Sequence, residues 1–374
     1  MKNTLKNEWN VNVGVENFPI EDIDYLEIYA GNAKQAAFYY SKLFGLQVVG
    51  YSGLETGNRE RSSYLLEKGD IRILISGAYS PESPIAEFVH THGDGVKDIA
   101  FRVQNVEELY DLAIKRGATP VMQPYEISDD FGVVKMARVG TFGDVVHTLV
   151  ERTGYDGFFL PSFTKIDEPA NVSDTFLTRI DHLAIDVEKA DQWTEYYENV
   201  FDFRMIQDFK KEDVSSSLSS LMLKAVQNGT ERVKLPIVEP AAGERKSQVA
   251  EFLEYNRGAG VAHVALLTDD IIKAVENLQN NGFKFLSTPD AYYEALPERV
   301  GEIDEELAKL NELNILVDRD EEGYLLQIFG YPMTDRPTLF FEIIQRKGSR
   351  GFGNGNIRAL FEAVEREQAR RGNL

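Results

Sequence analysis

The chain has no cysteine, which excludes disulfides, thiolate metal sites and a cysteine nucleophile together. It has no apolar run near the ~20 residues of a membrane-spanning helix. Its first residues, Met1–Asn10, are polar and lack the core of a signal peptide. Basic residues are in deficit: 40 Lys and Arg stand against 61 Asp and Glu, a net charge of −21. A protein that neutralises phosphates needs a basic face, so nucleic acid is not an expected partner. An anionic membrane surface would also repel this chain. What is present is ordinary for a packed protein: 43% hydrophobic and 11% aromatic residues over 374 positions, enough for two to three units at roughly 100–200 residues each. The sequence reads as a soluble cytoplasmic protein.

Four segments share one shape, a short alternating strand followed by a helical stretch that ends in a large apolar residue and usually Gly. They begin near Asp24, Asp98, Asp181 and Ala262, and their helices run over Ala33–Phe44, Val106–Arg116, Asp191–Phe201 and Asp270–Asn281. Further strands follow each helix: Arg72-Ile-Leu-Ile, Val145–Val150, Arg232-Val-Lys-Leu and Leu325–Phe329. A unit of this size cannot bury both faces of a curled sheet, so the units are expected to pair. The predicted fold is α+β, with four tandem β-α-β units joined in two pairs and a C-terminal helix. The first domain spans 20–155. A linker with Pro161 and Pro169 spans 156–177, and the second domain spans 178–374. The last helix, about 356–371, has Leu360, Phe361 and Val364 on its apolar face.

There are five histidines, His90, His92, His147, His182 and His263. A lone strand histidine is usually structural, but His182 and His263 hold the same place in the third and fourth units. Paired symmetrically, two neutral imidazoles would enter one sheet interior, where a shared cation is the common reason to bring them together. A third ligand must come from a late strand, and Glu342 in Thr338-Leu-Phe-Phe-Glu-Ile-Ile-Gln supplies a carboxylate one repeat further on. Alternation alone would also allow Glu342 to face water. Two His and one carboxylate with open positions suit non-haem Fe(II); the same set serves Zn²⁺ in hydrolysis. In the first half the matching places are Tyr25 and Asp98, with Glu151 near the end, and Tyr25 is a poor ligand, so the first domain is expected to carry no metal.

Three other signals are weaker. Gly351-Phe-Gly-Asn-Gly precedes a helix, but no strand follows for a dinucleotide fold. Asp318–Gly323 begins like a calcium loop, yet its twelfth position is Phe329, so it reads as a solvated hairpin turn. His90 and His92 fall in a polar, Gly-rich stretch and read as surface residues.

Longer runs carry a family likeness: Thr91-His-Gly-Asp-Gly-Val, Arg152-Thr-Gly-Tyr-Asp-Gly, Gly323–Phe329, Phe340-Phe-Glu-Ile-Ile-Gln-Arg, Gly351–Asn356 and Leu360–Arg366. From about Ile20 to Leu374 the chain resembles the 4-hydroxyphenylpyruvate dioxygenase and hydroxymandelate synthase family of the vicinal-oxygen-chelate superfamily. The resemblance implies the vicinal-oxygen-chelate fold, α+β with tandem βαβββ modules paired into two open β-barrel domains, the C-terminal one catalytic with Fe(II) held by His182, His263 and Glu342. It also implies O2-dependent decarboxylation and hydroxylation of a 2-oxo acid without separate 2-oxoglutarate. A homo-oligomer, dimer or tetramer, is expected.

The same resemblance locates a substrate pocket at Leu223, Pro236, Val238, Ala262, Gln327, Phe329, Phe352 and Ile357. Pro236, Gln327, Phe329 and Phe352 match the family. Leu223 stands where the family has Ser, Val238 where it has Asn, Ala262 where it has Gln, and Ile357 where it has Phe. A phenol buried without a partner costs about 1–3 kcal/mol, so these changes point to a less polar side chain, as in phenylpyruvate, indole-3-pyruvate or a branched-chain 2-oxo acid. The alternatives are 4-hydroxyphenylpyruvate itself, converted to homogentisate; benzylic hydroxylation, which Ile357 would suit; and a barrel that only binds a small molecule.

Overall fold

A computed structural model describes residues 18–167, 169–209, 220–241 and 246–372. Met1–Asn10 and the side chain of Phe361 lie outside the described residues. Each of the four sequence units folds as β-α-β-β-β. The first comprises β1 (Asp22–Tyr29), α1 (Ala33–Phe44), β2 (Gln47–Ser52), β3 (Arg61–Lys68) and β4 (Ile71–Ala78). Helix α2 (Pro84–His92) leads to the second unit: β5 (Gly95–Arg102), α3 (Val106–Lys115), β6 (Thr119–Asp129), β7 (Gly132–Gly140) and β8 (Val146–Glu151). The short β9 (Thr164–Lys165) then adds to the edge of β2.

The third unit comprises β10 (Leu177–Asp186), α4 (Ala190–Phe201), β11 (Arg204–Phe209), β12 (Ser220–Gln227) and β13 (Lys234–Ala241), followed by α5 (Gln248–Asn256). The fourth comprises β14 (Gly260–Thr268), α6 (Ile271–Asn280), β15 (Leu316–Arg319), β16 (Tyr324–Phe329) and β17 (Phe340–Lys347). Three short helices, α7 (Asp290–Glu294), α8 (Leu296–Val300) and α9 (Leu307–Leu313), separate α6 from β15, and α10 (Asn354–Arg370) ends the chain. No helix among the described residues is long and apolar enough to cross a membrane.

Local chemistry sets the helix ends. Asn32 caps α1 by accepting from the Gln35 amide at 3.1 Å, and Asp270 caps α6 by accepting from Lys273 at 3.1 Å. Gly45 closes α1 at φ 63°, a conformation glycine takes without strain. Helix α6 buries a stripe at Ile271, Ala274, Val275 and Leu278, the spacing of one helix face.

In every unit the first strand pairs parallel with the last: β1 with β4, β5 with β8, β10 with β13 and β14 with β17. Units join through antiparallel first strands, β1 with β5 and β10 with β14. The result is two mixed sheets, ordered β6-β7-β8-β5-β1-β4-β3-β2-β9 and β11-β12-β13-β10-β14-β17-β16-β15, the paired-module architecture expected from the repeats.

The main apolar core is continuous between the halves. Phe44 of α1 packs on Phe341 of β17 with ring centroids 4.6 Å apart, and Phe18 meets Phe201 at 5.0 Å. Burying rings of this size stabilises by about 1.5–3 kcal/mol each. The interior of the first sheet is filled by its own side chains, with Phe159 from the segment after β8 set edge-on against Tyr25 at 5.6 Å. The interior of the second sheet is an open cleft.

His90 is exposed, as expected. His92 corrects the surface reading: it ends α2, is buried, and places Nδ1 2.5 Å from the Asn256 carbonyl of α5 and Nε2 2.9 Å from Asp144. It therefore ties the two halves together. The missed helix had a signal in Ser83-Pro84, an N-cap followed by proline at the first helical position. His147 is also buried and structural, bridging the Ile99 carbonyl at 2.9 Å and the Tyr197 hydroxyl of α4 at 2.8 Å. Asp318–Gly323 joins β15 to β16, with the Asp320 carboxylate accepting from the amides of Glu322 and Gly323, a hairpin turn as read.

Candidate metal centre

His182, His263 and Glu342 lie on β10, β14 and β17, three adjacent strands of the second sheet. Register puts His182 and Glu342 on either side of Ala265. Strands about 4.8 Å apart would hold those two backbones roughly 10 Å from each other. Ala265 offers only a methyl between them, so both side chains lean inward above it, and His263 joins from two residues along β14. The three ligand atoms converge. Glu342 Oε2 is 3.3 Å from Nε2 of His182 and 3.3 Å from Nε2 of His263, and the two Nε2 atoms are 3.4 Å apart.

Two β-bulges make this possible. Between β10 and β14 the register skips Thr178 near the strand start, then Asp181 and, further on, Ala262; the last two shape the site. A bulge adds one residue and turns its side chain away from strict alternation. At Ala262 it lets two consecutive residues, Ala262 and His263, both line the cleft. At Asp181 it turns the carboxylate back toward the next residue, so that His182 Nδ1 donates to Asp181 Oδ2 at 2.8 Å. That bond leaves the Nε2 lone pair facing the centre. Arg346 in turn donates to both oxygens of Asp181 at 2.8 and 2.6 Å.

Glu342 is fixed from its other side. Gln327 Nε2 donates to Oε1 at 3.0 Å, Asn356 Nδ2 of α10 donates to Gln327 Oε1 at 2.9 Å, and the Tyr292 hydroxyl donates to Asn356 Oδ1 at 2.6 Å. Gly353 begins α10 at φ 76°, and a Cβ there would overlap the Gln327 amide oxygen. Burial opposes ionisation of Glu342, but the two imidazoles outweigh it and hold its pKa at about 2. Burial likewise opposes a charge on His182, yet Glu342 and Asp181 raise its pKa, whereas burial dominates at His263 and lowers it. Asp181 is buried too, and Arg346 holds it well below the usual carboxylate range.

Two ligands of one ion bound at about 2.0–2.2 Å can be no more than about 4.4 Å apart, and all three separations meet that limit. Two imidazole nitrogens and a carboxylate oxygen suit Fe(II) or Zn²⁺. Among the described residues this is the one group of three or more such side chains able to hold a metal ion.

The first half shows what the same framework does without those ligands. There Tyr25, Asp98 and Thr148 occupy the corresponding register positions, with Ala100 between Tyr25 and Thr148. This corrects the expectation for Glu151, which instead caps α3 by accepting from the Val106 amide at 3.0 Å. Asp98 accepts from the Thr148 amide at 3.0 Å and from its hydroxyl, and Arg138 donates to that hydroxyl at 3.1 Å. A guanidinium and a ring of hydrogen bonds stand where the second half has its ligands. The bulge recurs as well: Asp24, skipped in the β1–β5 register, is bound by Arg152 as Asp181 is by Arg346.

The triad opens into a cleft of about 1020 Å³ including its mouth. All eight pocket residues read from the sequence line it: Leu223, Pro236, Val238, Ala262, Gln327, Phe329, Phe352 and Ile357. Phe352 stands edge-on to His182 at 5.1 Å, and Phe340 lies 4.9 Å from His263. Helix α10 closes one side with Ile357, Leu360 and Val364, and Arg371 just beyond it pairs with Glu251 of α5 at 2.6 Å. Sequence reasoning missed Asp186, Gln248, Glu251 and Arg371, all of which line the cleft. A period-two count from His182 through Ala184 to Asp186 would have found the first.

Residues 16–167 match the profile of the hydroxyphenylpyruvate dioxygenase N-terminal domain, and residues 179–328 that of the glyoxalase/bleomycin resistance protein/dioxygenase superfamily. The chain is 43% identical over 370 residues to 4-hydroxyphenylpyruvate dioxygenase of Dictyostelium discoideum, covering 95% of this chain and 100% of that one. It is 40% identical over 366 residues to the enzyme of the same name from Yarrowia lipolytica, covering 94% and 93%. Among solved structures, a triple mutant of 4-hydroxymandelate synthase from Streptomyces coelicolor superposes with a TM-score of 0.85 at 33% identity, covering 94% of this chain and 99% of that one. With two βαβββ pairs, a His-His-Glu cluster and relatives matched along nearly their whole length, the chain belongs to the 4-hydroxyphenylpyruvate dioxygenase family and is a dioxygenase of the vicinal-oxygen-chelate fold.

Proposed function

We propose that the protein is an Fe(II)-dependent dioxygenase that decarboxylates and hydroxylates a 2-oxo acid with O2, and that its substrate has a less polar side chain than 4-hydroxyphenylpyruvate. The observation that carries this reading is the triad of buried His182 and Glu342 with half-buried His263, opening onto walls made by Leu223, Val238, Ala262 and Ile357. Iron bound there would supply the redox chemistry and the coordination positions for the 2-oxo acid and O2. The chain's own groups do the rest. Asp181 keeps the proton of His182 on Nδ1, and Gln327 occupies Glu342 Oε1, so only Oε2 is offered to a metal. Phe329, Phe340 and Phe352, with α10 across the opening, exclude water from the reacting groups.

A second reading is conversion of 4-hydroxyphenylpyruvate to homogentisate, favoured by the names of relatives at 40–43% identity. The two separate in one experiment. Fe(II)-loaded protein is screened against a panel of 2-oxo acids by oxygen consumption, with products identified by mass spectrometry. The proposal expects phenylpyruvate, indole-3-pyruvate or an aliphatic 2-oxo acid to be the better substrate. Homogentisate from 4-hydroxyphenylpyruvate as the best reaction would replace it with the second reading. No oxygen uptake with any of them would make the barrel a binder only.

A further inference from the structure

One ionisable group lining the cleft has no partner among the described residues. Glu342 belongs to the triad, Glu251 pairs with Arg371 at 2.6 Å, and Glu367 pairs with Arg370 at 2.9 Å. Asp186 remains. It ends β10 on the strand face that also carries His182 and Ala184, and all three line the cleft. It is 7% exposed, and among the described residues no hydrogen bond or ion pair reaches its carboxyl. Its register neighbours are Val238 on β13 and Gly260 on β14, an aliphatic side chain and none. A carboxyl without a partner in an apolar wall is unfavourable, and folded proteins rarely keep such groups without a use. Burial alone pushes its pKa up to about 8.

Position says what it faces. Four residues of strand place Asp186 about 13 Å along β10 from His182. A 2-oxo acid fixed by its carboxylate and keto oxygen at the triad would extend a one- or two-ring side chain and a hydrogen bond over that length. Leu221, Leu223 and Val238 give such a ring apolar contact and no polar partner.

We propose that Asp186 is a specificity-determining residue: it selects aromatic 2-oxo acids whose otherwise apolar ring carries one hydrogen-bond donor at its far end, an indole N–H or a phenol O–H, by accepting that donor on its carboxyl. This rests only on reading the cleft as a 2-oxo acid site and narrows the substrate class: an indole donor agrees with the less polar substrate proposed above, whereas a phenol donor would replace it with the second reading. Among apolar candidates it favours indole-3-pyruvate over phenylpyruvate and over branched-chain acids.

The test is binding to the Fe(II)-loaded protein without oxygen, by titration calorimetry, using matched ligands. Indole-3-pyruvate is compared with its 1-methyl derivative, and 4-hydroxyphenylpyruvate with 4-methoxyphenylpyruvate; each methyl group removes the donor. The donor form of at least one pair is expected to bind about 5- to 150-fold more tightly, and the pair that does so identifies the donor as indole or phenol. In Asp186→Leu that ratio falls toward one, while phenylpyruvate binds as well or better. Equal affinities within both pairs of the unaltered protein, or a ratio that Asp186→Leu leaves in place, overturn the role of Asp186. Binding of phenylpyruvate in the same series keeps the cleft assignment standing when the donor effect fails. Failure of every 2-oxo acid to bind overturns both.

Discussion

The paired bulges at Asp24 and Asp181 allow the structural and metal-supporting parts of one interaction to be measured apart. Asp181 has no exposed side-chain surface and accepts two bonds from Arg346, itself 11% exposed, and one from His182. Asp181→Asn keeps the shape but leaves Arg346 without its counter-charge. Breaking a buried pair from one side costs about 3–5 kcal/mol, a large part of the roughly 5–15 kcal/mol that holds a domain together. Asp24→Asn does the same to Arg152, and also to the half-exposed Arg102, in the half without the triad, so its stability loss should be at least as large. Only Asp181 also orients a histidine of the metal cluster. Loss of such a support typically weakens metal binding 10- to 100-fold, about 1.4–2.8 kcal/mol. Denaturant unfolding of the metal-free variants gives the first quantity, and Fe(II) competition against a chelator gives the second. Both variants should lose stability, and Asp181→Asn alone should lose iron affinity. Equal iron affinity in the two variants would refute the assignment of Asp181 as the group that fixes His182.

Further expectations follow from the same cleft. His182→Ala should no longer retain stoichiometric iron after desalting, as measured by metal analysis, and retained iron would contradict the ligand set. Val238→Asn combined with Ala262→Gln should raise oxygen uptake on 4-hydroxyphenylpyruvate relative to phenylpyruvate, and an unchanged ratio would remove both positions from substrate choice. The pKa of Asp186, about 8, lies above the ~3.9 of an unfolded aspartate. The stability associated with this group is therefore fully present below about pH 4 and is lost as pH rises through 8. Asp186→Asn should accordingly gain stability over the unaltered protein progressively between pH 4 and 8 and hold that gain above it, measured by denaturant midpoints in the metal-free state. A difference that does not vary with pH would contradict burial of the unpaired carboxyl.

The repeats were legible because each βαβββ unit must show the same face to the same neighbour, and that demand is written in periodicity. The step from His182 to His263 to Glu342 survives in the chain because the three strands are equivalent members of successive units. What alternation cannot express is a register event. Nothing in Thr178–Asp186 announces that Thr178 and Asp181 are the extra residues, since a bulge is defined by the partner strand. The same blindness placed the counterpart of Glu342 at Glu151, where counting toward a strand end replaced the pairing of Ala100 with Thr148. His92 was misread because Gly93 and Gly95 suggested a loop and hid the Ser83-Pro84 helix start. Asp186 is hidden for another reason: a polar residue ending an otherwise apolar strand reads as the start of a solvent loop, and only the pocket shows that its carboxyl is enclosed.

Phe341 stands between two residues that face the cleft, Phe340 and Glu342, and its own ring lies against Phe44 of the other half. The strand that carries a metal-cluster carboxylate is thus gripped from behind by a module in which the described residues form no such cluster. A gene cut to encode residues 178–374 alone would turn Phe341, Phe201 and Phe203 toward water, and its product is expected to self-associate before it can hold a metal.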